Sequence, residues 1–190
     1  MSALTPGFAD PVIDAQAAFR AVLEAMSRPG RVVAAGTALR PPAPLNQAAA
    51  AVLLALADAD TPLAQDGGAD VAAWLRFHCG APLVAPDAAA FVLATGVAPA
   101  LVSLMQGTEE EPQNGATLVL QVDALTPGEG WRLTGPGIER EHRLRVDGAP
   151  EGFLAAWARN RAGFPCGVDV VLCAGDRLAA LPRTVMIAEG

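Results

Sequence analysis

The sequence predicts an α/β protein, a three-layer sandwich in which a mixed sheet is flanked by helices. Two observations carry that expectation. Runs with apolar residues at helical spacing alternate with short, continuously apolar runs such as VDVVLCAG, which suit strands buried on both faces. Only GWRLTGPGI and EHRLRVDG alternate polar with apolar residues, as a half-exposed hairpin or pair of edge strands does. At 190 residues, with no repeat and no long linker, the chain is expected to form one domain over 1–190.

The elements follow in order. Asp10 stands at an N-cap position and Pro11 at the first helical position. Val12, Ala15, Phe19, Val22, Leu23 and Met26 then recur at helical spacing and predict the apolar face of a first helix. Arg28-Pro29-Gly30 stops it, and RVVAAG reads as a short strand. A second helix starts at Asn46 and runs to Asp58; it is apolar nearly all round and should be buried. Thr61-Pro62-Leu63 points to a short strand, and Asp70 caps a third helix through Trp74 and Phe77. AAFVLATG and ATLVLQVD read as buried strands, with EEEPQNG a solvated loop between them. Beyond the hairpin, Pro150 opens a helix carrying Phe153, Leu154 and Trp157 that ends near Gly163. VDVVLCAG is a strand of parallel type, and Ala180 to Thr184 leads into a last strand, VMIA.

Composition removes several function classes. All 13 basic residues are arginine, so a Schiff-base lysine, a P-loop lysine and a kinase-type lysine are impossible; tyrosine is absent too. A net charge of −7 and a pI near 4.7 argue against nucleic acid and anionic membranes as partners. Hydrophobic residues make up 52% and charged ones 17%, which points to apolar surface covered by a partner. Cys79, Cys166 and Cys173 have no CxxC spacing, and the two histidines lack HxH or HxxxH spacing, so no metal site is expected. MSALTPGFAD does not read as a signal peptide, and no apolar run approaches the roughly 20 residues of a membrane span. A cytoplasmic protein is expected.

Candidate sites are few. Arg28 and Arg31 flank the Pro29-Gly30 turn; they suit either an anion-facing turn or a helix end whose arginines meet the dipole. Arg183 would join them only if the fold brings it near. Cys166 and Asp169, in FPCGVD, sit where pockets of α/β sheets form, and equally suit a tight structural connection. His78-Cys79 invites a thiolate reading, but adjacent residues do not face each other, and a buried, inert cysteine is the plainer one. Glu109 to Glu111 and Asp58 with Asp60 read as solvated turns. No catalytic residue is assigned.

FRAVLEAMSRPG (19–30), WLRFHCGAPL (74–83) and FPCGVDVVLCAGDRLAALPRT (164–184) together resemble the PhnH family of the bacterial carbon–phosphorus lyase complex. The resemblance implies a fold similar to the large domain of pyridoxal-phosphate-dependent transferases, without that cofactor; no lysine is present to carry it. It further implies a homodimer in isolation, with PhnG, PhnI and PhnJ as partners. That core assembly displaces the adenine of ATP with an alkylphosphonate, giving a ribose 1-alkylphosphonate 5-triphosphate. The chain would be a structural partner without independent activity. A free-standing cysteine enzyme and a nucleotide- or phosphonate-binding module are the alternatives.

Overall fold

The computed structural model describes residues 4–190. The protein is α/β, with a six-stranded mixed sheet, a smaller three-stranded antiparallel sheet and four α-helices among the described residues. The large sheet runs β1 (Val33–Ala34), β8 (Arg177–Leu181), β7 (Asp169–Ala174), β4 (Thr117–Gln121), β3 (Phe91–Ala94), β2 (Leu63–Gln65). Strands β2, β3, β4 and β7 are parallel, whereas β8 returns antiparallel beside β7 and β1 pairs antiparallel with β8. The small sheet runs β6 (His142–Asp147), β5 (Ala124–Thr134), β9 (Met186–Ala188).

Alternate residues of the central strands enter two separate cores, as a sheet covered on both faces requires. Leu93, Val119, Val171, Cys173 and Leu178 pack on one side with α1 (Pro11–Ser27), α2 (Gln47–Leu56) and α3 (Gly68–Cys79). Val92, Leu118, Leu120, Val170 and Leu172 pack on the other with α4 (Phe153–Ala162) and the small sheet. The α/β class and the mixed sheet are as expected, but only one face is covered by a layer of helices; the other is covered mostly by the small sheet, with one helix. Segment 82–84 continues the edge beside β2, where Leu63 N–H donates to Pro82 O and Val84 N–H to Leu63 O.

Local rules explain most elements. Asp10 caps α1, its Oδ1 accepting from the Val12 and Ile13 N–H groups at 3.0 Å each. Asn46 caps α2, which is fully buried from Ala48 to Leu53. In α3 the cap position is Gly67 and Asp70 lies in the first turn, so the helix starts before the residue expected to cap it. The largest correction concerns α1. Its buried residues are Ala18, Ala21, Val22 and Ala25, while Val12, Phe19 and Leu23 are 75%, 49% and 55% exposed. The helix lays Ala18, Ala21 and Ala25 with Val22 in the core it shares with alanine-rich α2, and Met26 packs partly buried against the same core. The expected face is therefore split: Val22 and Met26 point inward, Val12, Phe19 and Leu23 outward.

The two strands expected from GWRLTGPGI and EHRLRVDG form the β5–β6 hairpin, but β5 begins earlier and is bulged. Pro127 and Trp131 both lie opposite Leu144, so residues 128–130 loop out of the ladder. Strand β8 was not anticipated: Gly175-Asp176, with Gly175 at φ +57°, makes a two-residue turn between β7 and β8.

Candidate functional site

The candidate residues fall into two separate places. Asp169 opens β7, and Arg183 follows β8. Arg183 Nη2 donates to Asp169 Oδ2 at 2.6 Å, its Nε reaches the same carboxylate, and its backbone N–H donates to Oδ1 at 2.7 Å. Arg183 Nη1 donates to Pro112 O at 2.8 Å and Pro165 O at 3.4 Å. The two side chains are only 11% and 18% exposed, so the pair is desolvated and nearly every guanidinium donor is engaged within the chain.

Neighbouring contacts complete this lock. Gly167 N–H donates to Gln106 O, and a Cβ at Gly115 would overlap Gly167 O and the Arg183 guanidinium. Asn160, at the end of α4, is buried and pairs reciprocally with Val168: its Nδ2 donates to Val168 O and its Oδ1 accepts from Val168 N–H, both at 2.8 Å. The sequence reading overlooked Asn160, because one asparagine in a polar helix carries no distinguishing pattern. Cys166 lies half-buried in the same turn. EEEPQNG is more than a solvated loop, since its Pro112 carbonyl is one of the acceptors fixing Arg183.

Arg28 and Arg31 lie elsewhere. They line an open cleft of about 620 Å³ between the turn after α1 and the edge strand β6, and Arg183 is not among its lining residues. Glu24 holds both arginines, at 3.5 Å from Arg28 and 3.0 Å from Arg31. Across the cleft, Glu141 holds Arg143 at 3.2 Å and Arg132 at 3.9 Å. Four guanidiniums thus share two carboxylates in a protein of net charge −7. His142 ties the two walls: its Nδ1 lies 2.7 Å from Pro29 O, and because a carbonyl only accepts, that nitrogen carries the proton. Gly30 makes the approach possible, since a Cβ there would press on Leu133 and the His142 Cβ. The charged alternation of EHRLR was visible in the sequence; that it faces Arg28 and Arg31 was not.

The remaining thiols are unsuited to nucleophilic work. Burial pushes Cys79 up to about 11, and its Sγ donates to Leu53 O at 3.6 Å. Burial raises Cys173 as well. His78 turns from Cys79 toward the N-terminal arm, where Thr5 O lies 3.1 Å from its Nε2 and accepts from Trp74 Nε1 at 2.8 Å. Among the described residues no three His, Cys, Asp or Glu side chains converge as a metal-binding group, and no helix is long and apolar enough to cross a membrane.

Comparison with known proteins supplies what geometry alone does not. A family model described as bacterial phosphonate metabolism protein (PhnH) matches residues 6–188. The chain is 39% identical over 187 residues to the alpha-D-ribose 1-methylphosphonate 5-triphosphate synthase subunit PhnH of Rhizobium meliloti (strain 1021), covering 95% of this chain and 93% of that relative. It is 38% identical over 176 residues to the putative C-P lyase subunit protein HtxG of Stutzerimonas stutzeri, covering 90% and 85%.

Proposed function

The chain belongs to the PhnH family of bacterial phosphonate metabolism proteins, and from that membership we propose that it serves as a subunit of a carbon–phosphorus lyase assembly in organic phosphonate catabolism. The observation that carries the proposal is the extent of the match, which spans residues 6–188 and is not confined to one motif. In that role the chain supports formation of a ribose 1-alkylphosphonate 5-triphosphate from ATP and an alkylphosphonate, in the cytoplasm, with counterparts of PhnG, PhnI and PhnJ. It contributes surface and positioning rather than a catalytic group of its own, and pairs with a second copy when isolated.

Three features support a partner role. The apolar stripe of α1 offers a covering element side chains at helical spacing. The Asp169–Arg183 lock holds the 164–169 turn, with Cys166, as a fixed surface feature. Four parallel central strands with helices on both faces are compatible with the proposed likeness to the large domain of pyridoxal-phosphate-dependent transferases. The cysteine-enzyme alternative, with Cys166 or Cys79 as nucleophile, is disfavoured at Cys79 by its raised thiol.

Co-expression with the three partner subunits, followed by the mass of the purified assembly, tests the proposal. Recovery of this chain in fixed stoichiometry is the expected result. A complete assembly of the other three that excludes it would overturn the reading.

A further inference from the structure

We propose that the cleft between the Arg28–Arg31 turn and β6 binds a small phosphate- or phosphonate-bearing anion, gripped by Arg28 and Arg31 from one wall and Arg143 from the other. The choice of phosphorus oxyanion among anions rests on the functional reading above; the cleft itself does not.

The walls come from distant parts of the chain, yet both present arginine. Each wall is braced by one carboxylate shared between two guanidiniums, Glu24 on one side and Glu141 on the other. Such sharing occupies one edge of each planar fork and leaves other N–H groups free. At the cleft itself three arginines, Arg28, Arg31 and Arg143, meet two carboxylates, so one positive charge stays uncompensated, which an overall acidic surface makes locally distinctive. The side chains of Arg28, Arg31 and Arg143 are all substantially exposed, so their free donors are reachable from solvent. A guanidinium fork matches two oxygens of a tetrahedral oxyanion, and opposing forks can hold it from two directions.

The cleft is also pre-shaped. The His142–Pro29 hydrogen bond cross-links the walls, so a ligand need not draw them together. At the rim, the looped-out Gly128 has φ +90° and no side chain, leaving the mouth unobstructed. A concave space of about 620 Å³ suits a small ligand better than a flat charged face would. The other large hollow, about 460 Å³ beside the N-terminal arm, is walled mainly by alanines and other apolar groups and lacks such opposed donors.

The test is calorimetric titration of the full chain with methylphosphonate, inorganic phosphate and ATP, at low and at physiological salt. Variants are Arg31→Gln and Arg143→Gln, with Arg159→Gln on α4 removing the same charge elsewhere; thermal melts confirm that each is folded. Saturable binding of at least one anion is expected. It should weaken at least about tenfold, or about 1.4 kcal/mol, in each cleft variant and stay unchanged in Arg159→Gln. A preference for ATP assigns the site to a nucleotide's phosphates, and a preference for methylphosphonate to a free phosphonate; either supports it.

Three results overturn the proposal: no saturable heat with any anion, wild-type binding by both cleft variants, or equal weakening by Arg159→Gln. Co-purification with the partner subunits separates this from the functional reading. Cleft variants that assemble normally but bind no anion uphold both. A chain that binds the anion yet never assembles leaves the cleft standing and removes the subunit role. Cleft variants that fail to assemble, in a wild type that binds no anion, make the cleft a contact for an acidic partner and end the oxyanion proposal.

Discussion

Above pH 9 this protein is an unusually clean system for linking a proton to stability. It has no lysine and no tyrosine, and arginine does not titrate in that range, so the only side chains able to lose a proton are three cysteines. Burial lifts Cys79 from an ordinary value near 9 to about 11, and raises Cys173 too. Between these values the unfolded chain releases the protons of Cys79 and Cys173 while the folded chain keeps them. The unfolded state then binds fewer protons, so unfolding becomes easier as pH rises. The share that comes from Cys79 is therefore complete below about pH 9 and is lost through the window up to about pH 11, while the share from Cys173 is lost only at higher pH.

Each buried thiol contributes a slope of about 1.4 kcal/mol per pH unit, so Cys79 alone accounts for roughly 3 kcal/mol across its window. That is a large part of a typical domain's margin of roughly 5–15 kcal/mol. Urea unfolding in the presence of reductant, repeated from about pH 8 upward, measures the slope. Cys79→Ala should remove about half of it while leaving a slope from Cys173. A flat stability profile between pH 9 and pH 11 would refute the reasoning, as would a slope that Cys79→Ala leaves intact.

Further expectations follow from the lock and from α1. Arg183→Ala strands the Asp169 carboxylate in a desolvated place and should destabilise by about 3–5 kcal/mol in urea melts, with Arg183→Lys recovering only part because it cannot fork. Asn160→Ala leaves the Val168 N–H and C=O without partners and should destabilise by about 2 kcal/mol or more; Asn160→Asp keeps the acceptor but buries a carboxylate against the Val168 carbonyl, and should destabilise at least as much at neutral pH. Phe19→Ser with Leu23→Ser changes exposed positions, so the melting temperature should barely move, while light scattering or co-purification should show lost association. Unchanged association would remove the α1 stripe as a contact surface.

What was legible in the sequence, and what was not, divides along physical lines. Helix α2 was legible because residues 48–53 are apolar on every side, a pattern only a buried helix satisfies. The caps Asp10 and Asn46 were legible because capping is local chemistry. The orientation of α1 was legible only in part: Val22 and Met26 face the core as the periodicity assigns, while Val12, Phe19 and Leu23 do not, since the core positions beside them are taken by Ala18, Ala21 and Ala25. Strand β8 was hidden by Leu178-Ala179-Ala180-Leu181, whose composition favours a helix; its pairing with β7 is tertiary information, although Gly175-Asp176 is a recognised two-residue turn. The family was legible from three motifs. The separation of Arg183 from Arg28 and Arg31 was not, since no local rule says which arginines a fold will bring together.

The lock around Arg183 also bears on how a lineage carrying this fold can drift. Its acceptors at 112 and 165 are main-chain oxygens, which any residue type supplies, so substitutions there keep the bond. Positions 169 and 183 are bound to each other through side chains, and replacing either one first leaves an orphaned buried charge. A single-step route away from this pair passes through a variant short of several kcal/mol, so the two positions should change together or stay as they are while the surrounding loops diverge.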